Sequence, residues 1–508
     1  MHEKSTILSW PIILLAAILL LAALLRVPLL SRIPNGFYHD EAVNGYDSYS
    51  ILKTGRDPYG ECMPLFLRAL NDYRESLYVV LTIPSVAVFG LNEFATRFPA
   101  ALIGIATVLA LYFLTKALFN EKVGLIAALL LAISPWHIQF SRIAFRAILF
   151  PFFFCLGLFF FIRSMQRPKH LYASVLFFGV SLHTYMAARV FVPLFLLGLT
   201  LMYRKTLWSM KKHTLTAAVI FMLIVLPLFR FWISPQGMAR ARPKLGKSLS
   251  RNITNYFSYF RPCSLFCNGD PNLRHSIKDY GQLYIFEFLT IVIGLFFLIA
   301  MKREHWQFFL LWLLLYPIPA AFTGSFHALR SIIGAPLFSI VSAYGIVQLA
   351  DLSSSWNRTA FLCIIVAVIG VSLAMFTIAY FVDYPQYSGQ SWEYGVREAI
   401  LFAEKSRYTC VMINEKDFPQ VNYHILLYTR YDPATYQKNP IYVSDKKYTL
   451  GKYHVIPLTQ EKTFNKDCLF ILRPWSIQEL VNKGYKWHTQ YIVKDLLGRA
   501  AVAIGSVS

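Results

Sequence analysis

The sequence predicts an all-α membrane protein with about eleven transmembrane helices, a long outer first loop containing juxtamembrane helices, and a small C-terminal α/β domain. Three observations predict it. Of 508 residues, 56% are hydrophobic and only 15% are charged, against about 25% charged in an ordinary soluble domain. Uncharged runs long enough to cross a hydrocarbon core recur along the first 382 residues. Beyond Val382 the charge density becomes that of a soluble domain. A soluble enzyme, a disordered chain and a fibrous repeat are excluded.

The apolar runs fall at 7–25, 98–115, 123–141, 147–162, 171–188, 190–203, 214–229, 288–301, 306–329, 331–350 and 359–382. The first follows Lys4 without the small-residue cleavage site of a signal peptide, so it reads as a retained span. A twelfth run, 76–92, decides the topology. If it does not span, the connections on the side of Lys4 carry twelve basic residues: Lys116, Lys122, Arg163, Arg167, Lys169, Arg204, Lys205, Lys211, Lys212, Lys302, Arg303 and Arg358. The opposite short connections carry four, Arg142, Arg146, Arg189 and Arg330. Twelve against four places the first set in the cytoplasm by the positive-inside rule. The run at 76–92 is therefore expected to be an interfacial helix on the outer side, interrupted at Pro84.

The formal charge of +22 would suggest nucleic acid in a soluble protein. Here much of it is topology signal and contact with anionic membrane lipids, and no basic low-complexity tail is present. The seven cysteines are scattered, with no zinc-like spacing to His. Two disulfides are open in an oxidising compartment, Cys263–Cys267 and Cys410–Cys468.

Composition divides the chain into a transmembrane domain, 1–382, and an extracytoplasmic α/β domain, 383–508. The latter alternates strand-like runs at 409–413, 453–458, 468–473 and 500–505 with helix-like stretches at 391–406 and 476–484. It has no glycine-rich phosphate loop and no nucleophile elbow, so chemistry is expected in the membrane half.

The outer side collects the unusual polar sequence. FYHDEAVNGYDSY and NDYRES lie in the first loop, and SPWHIQFSRIAFR follows the third span. HTYMAARV follows the fifth, GDPNLRH lies in the basic loop 230–287, and GSFHALRS follows the ninth. Each alone reads as an interfacial cap or a snorkelling residue. Ionisable groups at membrane depth are costly, so their convergence on one side points to a site.

A retained first span followed by an outer loop that opens with Asp40 and Glu41 resembles the type-C glycosyltransferases. The likeness is to bacterial relatives of protein O-mannosyltransferases and of the lipid A aminoarabinose transferase. It extends to NEFATRFPA at 92–100, SPWHIQFSR at 134–142, GDPNLRH at 269–275 and HALRSIIGAP at 327–336. The resemblance covers about residues 5–380. It implies an inverting enzyme of the bacterial plasma membrane that takes sugar from a polyprenyl-phosphate carrier on the extracytoplasmic face. The acceptor would be a lipid, glycan or protein hydroxyl. Arg74 lies where relatives often carry Lys-Pro, whereas this chain continues with Glu75 and Ser76. An acidic residue that the aminoarabinose transferase has after its third span is replaced here by a basic stretch with Arg142 and Arg146.

The chemistry is economical. A polyprenyl phosphate is already a good leaving group, so transfer needs one base for the acceptor and cations for the phosphate. Asp40 is the expected base; Glu41 would orient the acceptor, or join Asp40 around a divalent cation. Asp40 and Glu41 could instead cap a helix beginning near Ala42. His327 and Arg330, three residues apart, are assigned to the carrier phosphate, with anchoring of the tenth span as the plainer role. Arg74 is expected to contact sugar or phosphate. His137, Arg142, Arg274 and His275 are further substrate-binding candidates, with His183 and Arg189. The alternative functions are a transporter or flippase of an anionic lipid-linked substrate, and a lipid-linked oligosaccharide polymerase or ligase. An inverted repeat, which would favour transport, is not evident.

Overall fold

Every apolar run of the sequence carries a helix in the computed structural model, which describes residues 10–69, 72–238, 249–301, 306–353, 355–442, 447–461 and 463–508. Lys4, Lys302 and Arg303, used in the charge count, lie outside the described residues. The first elements are α1 (Trp10–Arg26), α2 (His39–Thr54), α3 (Leu77–Phe89) and α4 (Glu93–Leu118). Two more, α5 (Glu121–Ile133) and α6 (Pro135–Ser141), meet at a 60° bend. Among the described residues, five segments are long and apolar enough to cross a membrane: Glu93–Leu118, Arg146–Ser164, Lys211–Trp232, Gly334–Leu352 and Arg358–Trp392. The bent α5–α6 pair makes a sixth, and the other apolar helices are shorter.

Lipid replaces water as the solvent of these helices. Lys211–Trp232 exposes Leu215, Val219, Met222, Leu223 and Leu226, an apolar face that only a bilayer accommodates. The chain is an integral membrane protein. Pro84 does not interrupt α3, which is a continuous helix of 13 residues, about 20 Å long at 1.5 Å per residue.

Where composition draws its line at 382, the packing groups the chain into two compact units: 1–28 with 100–378, and 29–99 with 379–508. In the first unit, Gly334–Leu352 is buried along its length and packs on both α5 and Ile285–Ala300. A methyl group on Gly345 would stand 1.9 Å from the carbonyl oxygen of Thr290, so only glycine permits this crossing.

The second unit is built on two sheets. A short antiparallel ribbon pairs β1 (Phe66–Ala69) with β2 (Asp72–Glu75). Six further strands are β3 (Val411–Asn414), β4 (Tyr448–Leu450), β5 (Tyr453–Ile456), β6 (Leu469–Leu472), β7 (Trp487–Lys494) and β8 (Ala500–Val507). They form one mixed sheet in the order β4-β5-β3-β6-β8-β7, in which β3 runs parallel to β5 and β6. The four strand-like runs of the sequence all contain strands; β4 and β7 go beyond them. Residues 29–99 join this unit because α2 supplies Ala42, Val43 and Tyr46 to the core that Val421–Tyr428 and the sheet complete.

One further expectation is corrected and one open question is decided. The helix anticipated over 391–406 is broken into a turn, Gly389–Trp392, and a helix, Val396–Lys405. Glu393 (φ 57°) and Gly395 (φ 93°) between them are left-handed, a conformation that no α-helix continues through. Of the two open disulfides, Cys410–Cys468 forms, whereas Cys263 and Cys267 are free. Cys410 and Cys468 immediately precede the neighbouring strands β3 and β6, with Cα atoms 4.6 Å apart, well within bridging distance.

Candidate functional site

Asp40 and Glu41 occupy the first turn of α2, where carboxylates favour the positive end of the helix. Their surroundings differ completely. Glu41 is fully buried and grips Arg97 through two parallel contacts, Nε to Oε1 and Nη2 to Oε2, both 2.8 Å. The rest of the Arg97 guanidinium donates to the carbonyl oxygens of Leu30, Pro34 and Gly36 at 3.1, 3.1 and 2.7 Å. Glu41 Oε2 also accepts the Tyr38 N–H at 3.3 Å, the reach-back of a capping box. Gly36 must be glycine at φ 119°, since a Cβ there would sit 2.4 Å from the Trp392 carbonyl. Glu41 therefore fixes the entry to α2 through Arg97 and the Tyr38 N–H.

Asp40 is exposed. Its carboxylate has no hydrogen-bond or ion-pair partner among the described residues. Its neighbour His39 is held by Glu393, which accepts the His39 backbone N–H at 3.0 Å and lies 2.7 Å from Nδ1. The buried His424 donates from Nε2 to the Phe37 carbonyl at 2.8 Å and sits 3.4 Å from Glu393. Glu393 and His424 also line a cavity of about 720 Å³ with Arg32, Asn35, Glu93, Arg397 and Tyr428. The result is a rigid turn presenting one free carboxylate.

Arg74, on β2, is buried in the same unit. It donates to Asn44 Oδ1 at 2.6 Å and pairs with Asp47, both one or two turns along α2 from Asp40. Burial pushes Asp47 up to about 7, against the opposing pull of the Arg74 charge.

The other candidates lie in the first unit. His137 Nδ1 accepts from Arg26 at 3.0 Å, and Arg26 also donates to the Leu131 and Ala132 carbonyls. Arg142 is fully buried and donates to the carbonyls of Leu25, Arg26 and Pro28 at 3.1, 3.0 and 2.9 Å, closing the C-terminal end of α1. A cation over the last carbonyls of a helix is a stabilising arrangement, so these two residues knit α1 to the α5–α6 corner. His183 donates from Nε2 to the Ile224 carbonyl at 3.0 Å, and Arg189 lies over the Trp232 ring.

Arg274, His275, His327 and Arg330 form the remaining group. Asp270 joins them: its Oδ2 lies 3.0 Å from His275 Nδ1 and accepts the Ala328 N–H at 2.8 Å. The rings of His275 and His327 are 4.5 Å apart. Gln139 donates to the Arg274 carbonyl at 2.9 Å, and the Trp136 indole donates to the Ala328 carbonyl at 2.9 Å. Arg330 is half-buried one turn after His327, and its buried Nε has no hydrogen-bond partner among the described residues. An unpaired guanidinium N–H is the donor that an anionic group would satisfy. Burial alone would raise the Asp270 carboxyl, but hydrogen bonds from His275 and from the Asn272 and Ala328 N–H groups hold it below its ordinary value.

Sequence reasoning passed over Arg97, His39, Glu393, His424 and Asp270. Arg97 did carry a signal, a charge at the mouth of an apolar run. Glu393 and His424 carried none, being more than 350 residues from their partners His39 and Phe37.

Residues 80–231 match the family described as dolichyl-phosphate-mannose-protein mannosyltransferase. YkcB of Bacillus subtilis (strain 168), which is named as a mannosyltransferase, is 27% identical over 179 residues, or 35% of this chain. That match covers 25% of YkcB, a quarter of the relative's length. Among solved structures, ArnT from Cupriavidus metallidurans bound to undecaprenyl phosphate aligns over 97% of this chain and 98% of its own, with a TM-score of 0.57 and 14% identity. The oligosaccharyltransferase of Archaeoglobus fulgidus tethered to an acceptor peptide aligns over 97% of this chain and 74% of its own, with a TM-score of 0.54 and 13% identity. These likenesses give the chain an ArnT-like fold over nearly its whole length, and the resemblance to type-C glycosyltransferases read from its motifs is borne out.

Proposed function

From a chain with an ArnT-like fold, we infer an inverting glycosyltransferase that moves a sugar from a polyprenyl-phosphate carrier to an acceptor hydroxyl on the extracytoplasmic face. The observation that carries this reading is Asp40: exposed and unpartnered, on a turn that Glu41–Arg97 and His39–Glu393 hold fixed. Asp40 takes the proton of the acceptor hydroxyl as its oxygen attacks the anomeric carbon. The carbon–oxygen bond to phosphate breaks on the opposite face, which inverts the centre. The carrier phosphate leaves with the bonding electrons, and Arg330, with its unpaired N–H, is assigned to that developing charge. Similarity to a structure holding undecaprenyl phosphate supports the donor class, and the twelve-to-four charge count supports the orientation.

The test is single-turnover transfer and donor titration in detergent, using a short-chain polyprenyl-phosphate sugar with lipid, glycan and peptide acceptors and mass-spectrometric detection. Asp40→Asn should lose about 10²-fold or more in rate while retaining donor binding. Arg330→Ala should lose roughly 10- to 150-fold in both, and Arg330→Lys should recover part, since an ammonium keeps charge without the planar fork. Full turnover in Asp40→Asn removes the base assignment. Vesicle uptake of the lipid-linked sugar without turnover favours a transporter.

A further inference from the structure

We propose that the tip of the β7–β8 hairpin, Leu496 and Leu497, inserts into the lipid leaflet where the apolar run 359–382 ends, and so rests the C-terminal sheet on the membrane. The occupant of this tip is the bilayer itself. The inference depends neither on the transfer reaction nor on which side of the membrane the sheet lies.

The turn is built without help from the two leucines. Gly498 donates its N–H to the Asp495 carbonyl at 2.9 Å, and the Asp495 N–H donates to the Arg499 carbonyl at 2.8 Å. Asp495 Oδ1 accepts the N–H groups of Leu497 and Arg499, both at 2.9 Å, while Oδ2 accepts Arg499 Nε at 2.8 Å. Gly498, at φ 78°, takes the left-handed position that closes such a loop. Leu496 and Leu497 therefore fill two positions that the backbone leaves open to most residues, and where a turn in water usually carries polar ones. They are 58% and 50% exposed. A single exposed leucine needs no explanation, whereas two neighbours at the apex of a firmly held hairpin form a projecting apolar tip.

Position supplies the partner. Leu496 lines the cavity of about 720 Å³ together with Leu29, Phe381 and Val382, and all four belong to the second unit. Phe381 and Val382 are the last residues of the apolar run 359–382, and Asp383 follows them. Val382 and Leu29 are themselves 55% and 49% exposed, a surface suited to lipid at the end of a span. The hairpin tip stands beside the point where the chain passes from lipid to water, and its leucines continue that apolar surface.

The charges agree with this placement. Lys494, exposed just before the turn, makes no hydrogen bond or ion pair among the described residues, and Arg32 and Arg397 line the same cavity. Cations at this level meet lipid phosphates while apolar groups reach below them. Asp495 is the acid of the tip, and Arg499 neutralises it at 2.8 Å.

The full-length protein, in a background lacking Cys62, Cys263, Cys267 and Cys363, is labelled with the fluorophore NBD at Leu497→Cys and placed in nanodiscs of phosphatidylcholine and phosphatidylglycerol. Its emission should lie to the blue of the same label at the exposed Asn482→Cys. Lipids with a nitroxide high on the acyl chain should quench the Leu497→Cys label more than lipids with one near the chain end, since interfacial insertion reaches about 5–10 Å. Neither lipid should quench the Asn482→Cys label. Adding Leu496→Ser should remove most of the quenching at Leu497→Cys. Water-like emission without lipid quenching at Leu497→Cys overturns the proposal. A blue-shifted label that lipid nitroxides do not quench also overturns it, because protein, such as a second copy of the chain, then covers the tip. Should Leu496→Ser fail to fold, the depth-dependent quenching of Leu497→Cys alone decides.

Discussion

Replacing Glu41 by Gln tests whether this carboxylate holds the fold or takes part in chemistry. Glu41 and Arg97 are both fully buried and joined by two 2.8 Å contacts. The amide keeps the size of the side chain but removes the charge and turns an N–H₂ against a guanidinium. Breaking one partner of a buried pair costs about 3–5 kcal/mol, because the remaining charge is uncompensated. Arg97 retains the Leu30, Pro34 and Gly36 carbonyls, which favours the lower end, about 3 kcal/mol. For a unit of about 200 residues this lowers the melting temperature by roughly 6–12 °C at 2–4 °C per kcal/mol. Thermal unfolding of the detergent-purified protein, followed by tryptophan fluorescence, measures it. The double variant Glu41→Leu/Arg97→Met removes both charges and should recover at least half of the loss, as apolar replacement of a buried pair generally does. An unchanged melting temperature in Glu41→Gln combined with lost turnover would refute the structural assignment and return Glu41 to the chemistry.

Three further outcomes are expected. Asp47 has a folded-state pKa raised to about 7 against 3.8 for the free group, so the folded state binds the proton more tightly between those values. Stability should therefore fall as pH rises from about 4 to about 7 and level off above, by at most about 1.4 kcal/mol per pH unit; the same slope in Asp47→Asn would sink this. Cys410–Cys468 closes a loop 58 residues long, and removing it with the Cys410→Ala/Cys468→Ala pair should cost about 2–4 kcal/mol, read as a drop in denaturant midpoint. For topology, the exposed Asn482 and Ser209 are each changed to Cys in a background lacking Cys62, Cys263, Cys267 and Cys363. An impermeant maleimide on intact cells should label the first and spare the second, and the opposite pattern would invert the protein.

Apolar runs were legible because bilayer thickness sets their length and water is absent from their surroundings, so composition alone marks them. Asp40 stood out for a related reason, as a carboxylate placed just beyond a span. The strands of 411–414, 453–456 and 469–472 showed as short β-branched and aliphatic runs, since a buried parallel strand is apolar on both faces; 500–507, antiparallel to both its neighbours, showed as an apolar run because its middle residues are buried. Only the tertiary structure decided how Asp40 and Glu41 divide. Adjacent positions in the first turn of a helix point about 100° apart, and what each meets depends on Arg97, 56 residues away, and on Glu393, 354 residues from His39. Tertiary packing also turned Arg142 into a helix cap, since the carbonyls it serves lie over 110 residues earlier, and drew His275 and His327 together. Local pattern records the solvent each segment meets; pairing of charges across hundreds of residues is decided by which backbone ends the packed core brings within hydrogen-bond reach.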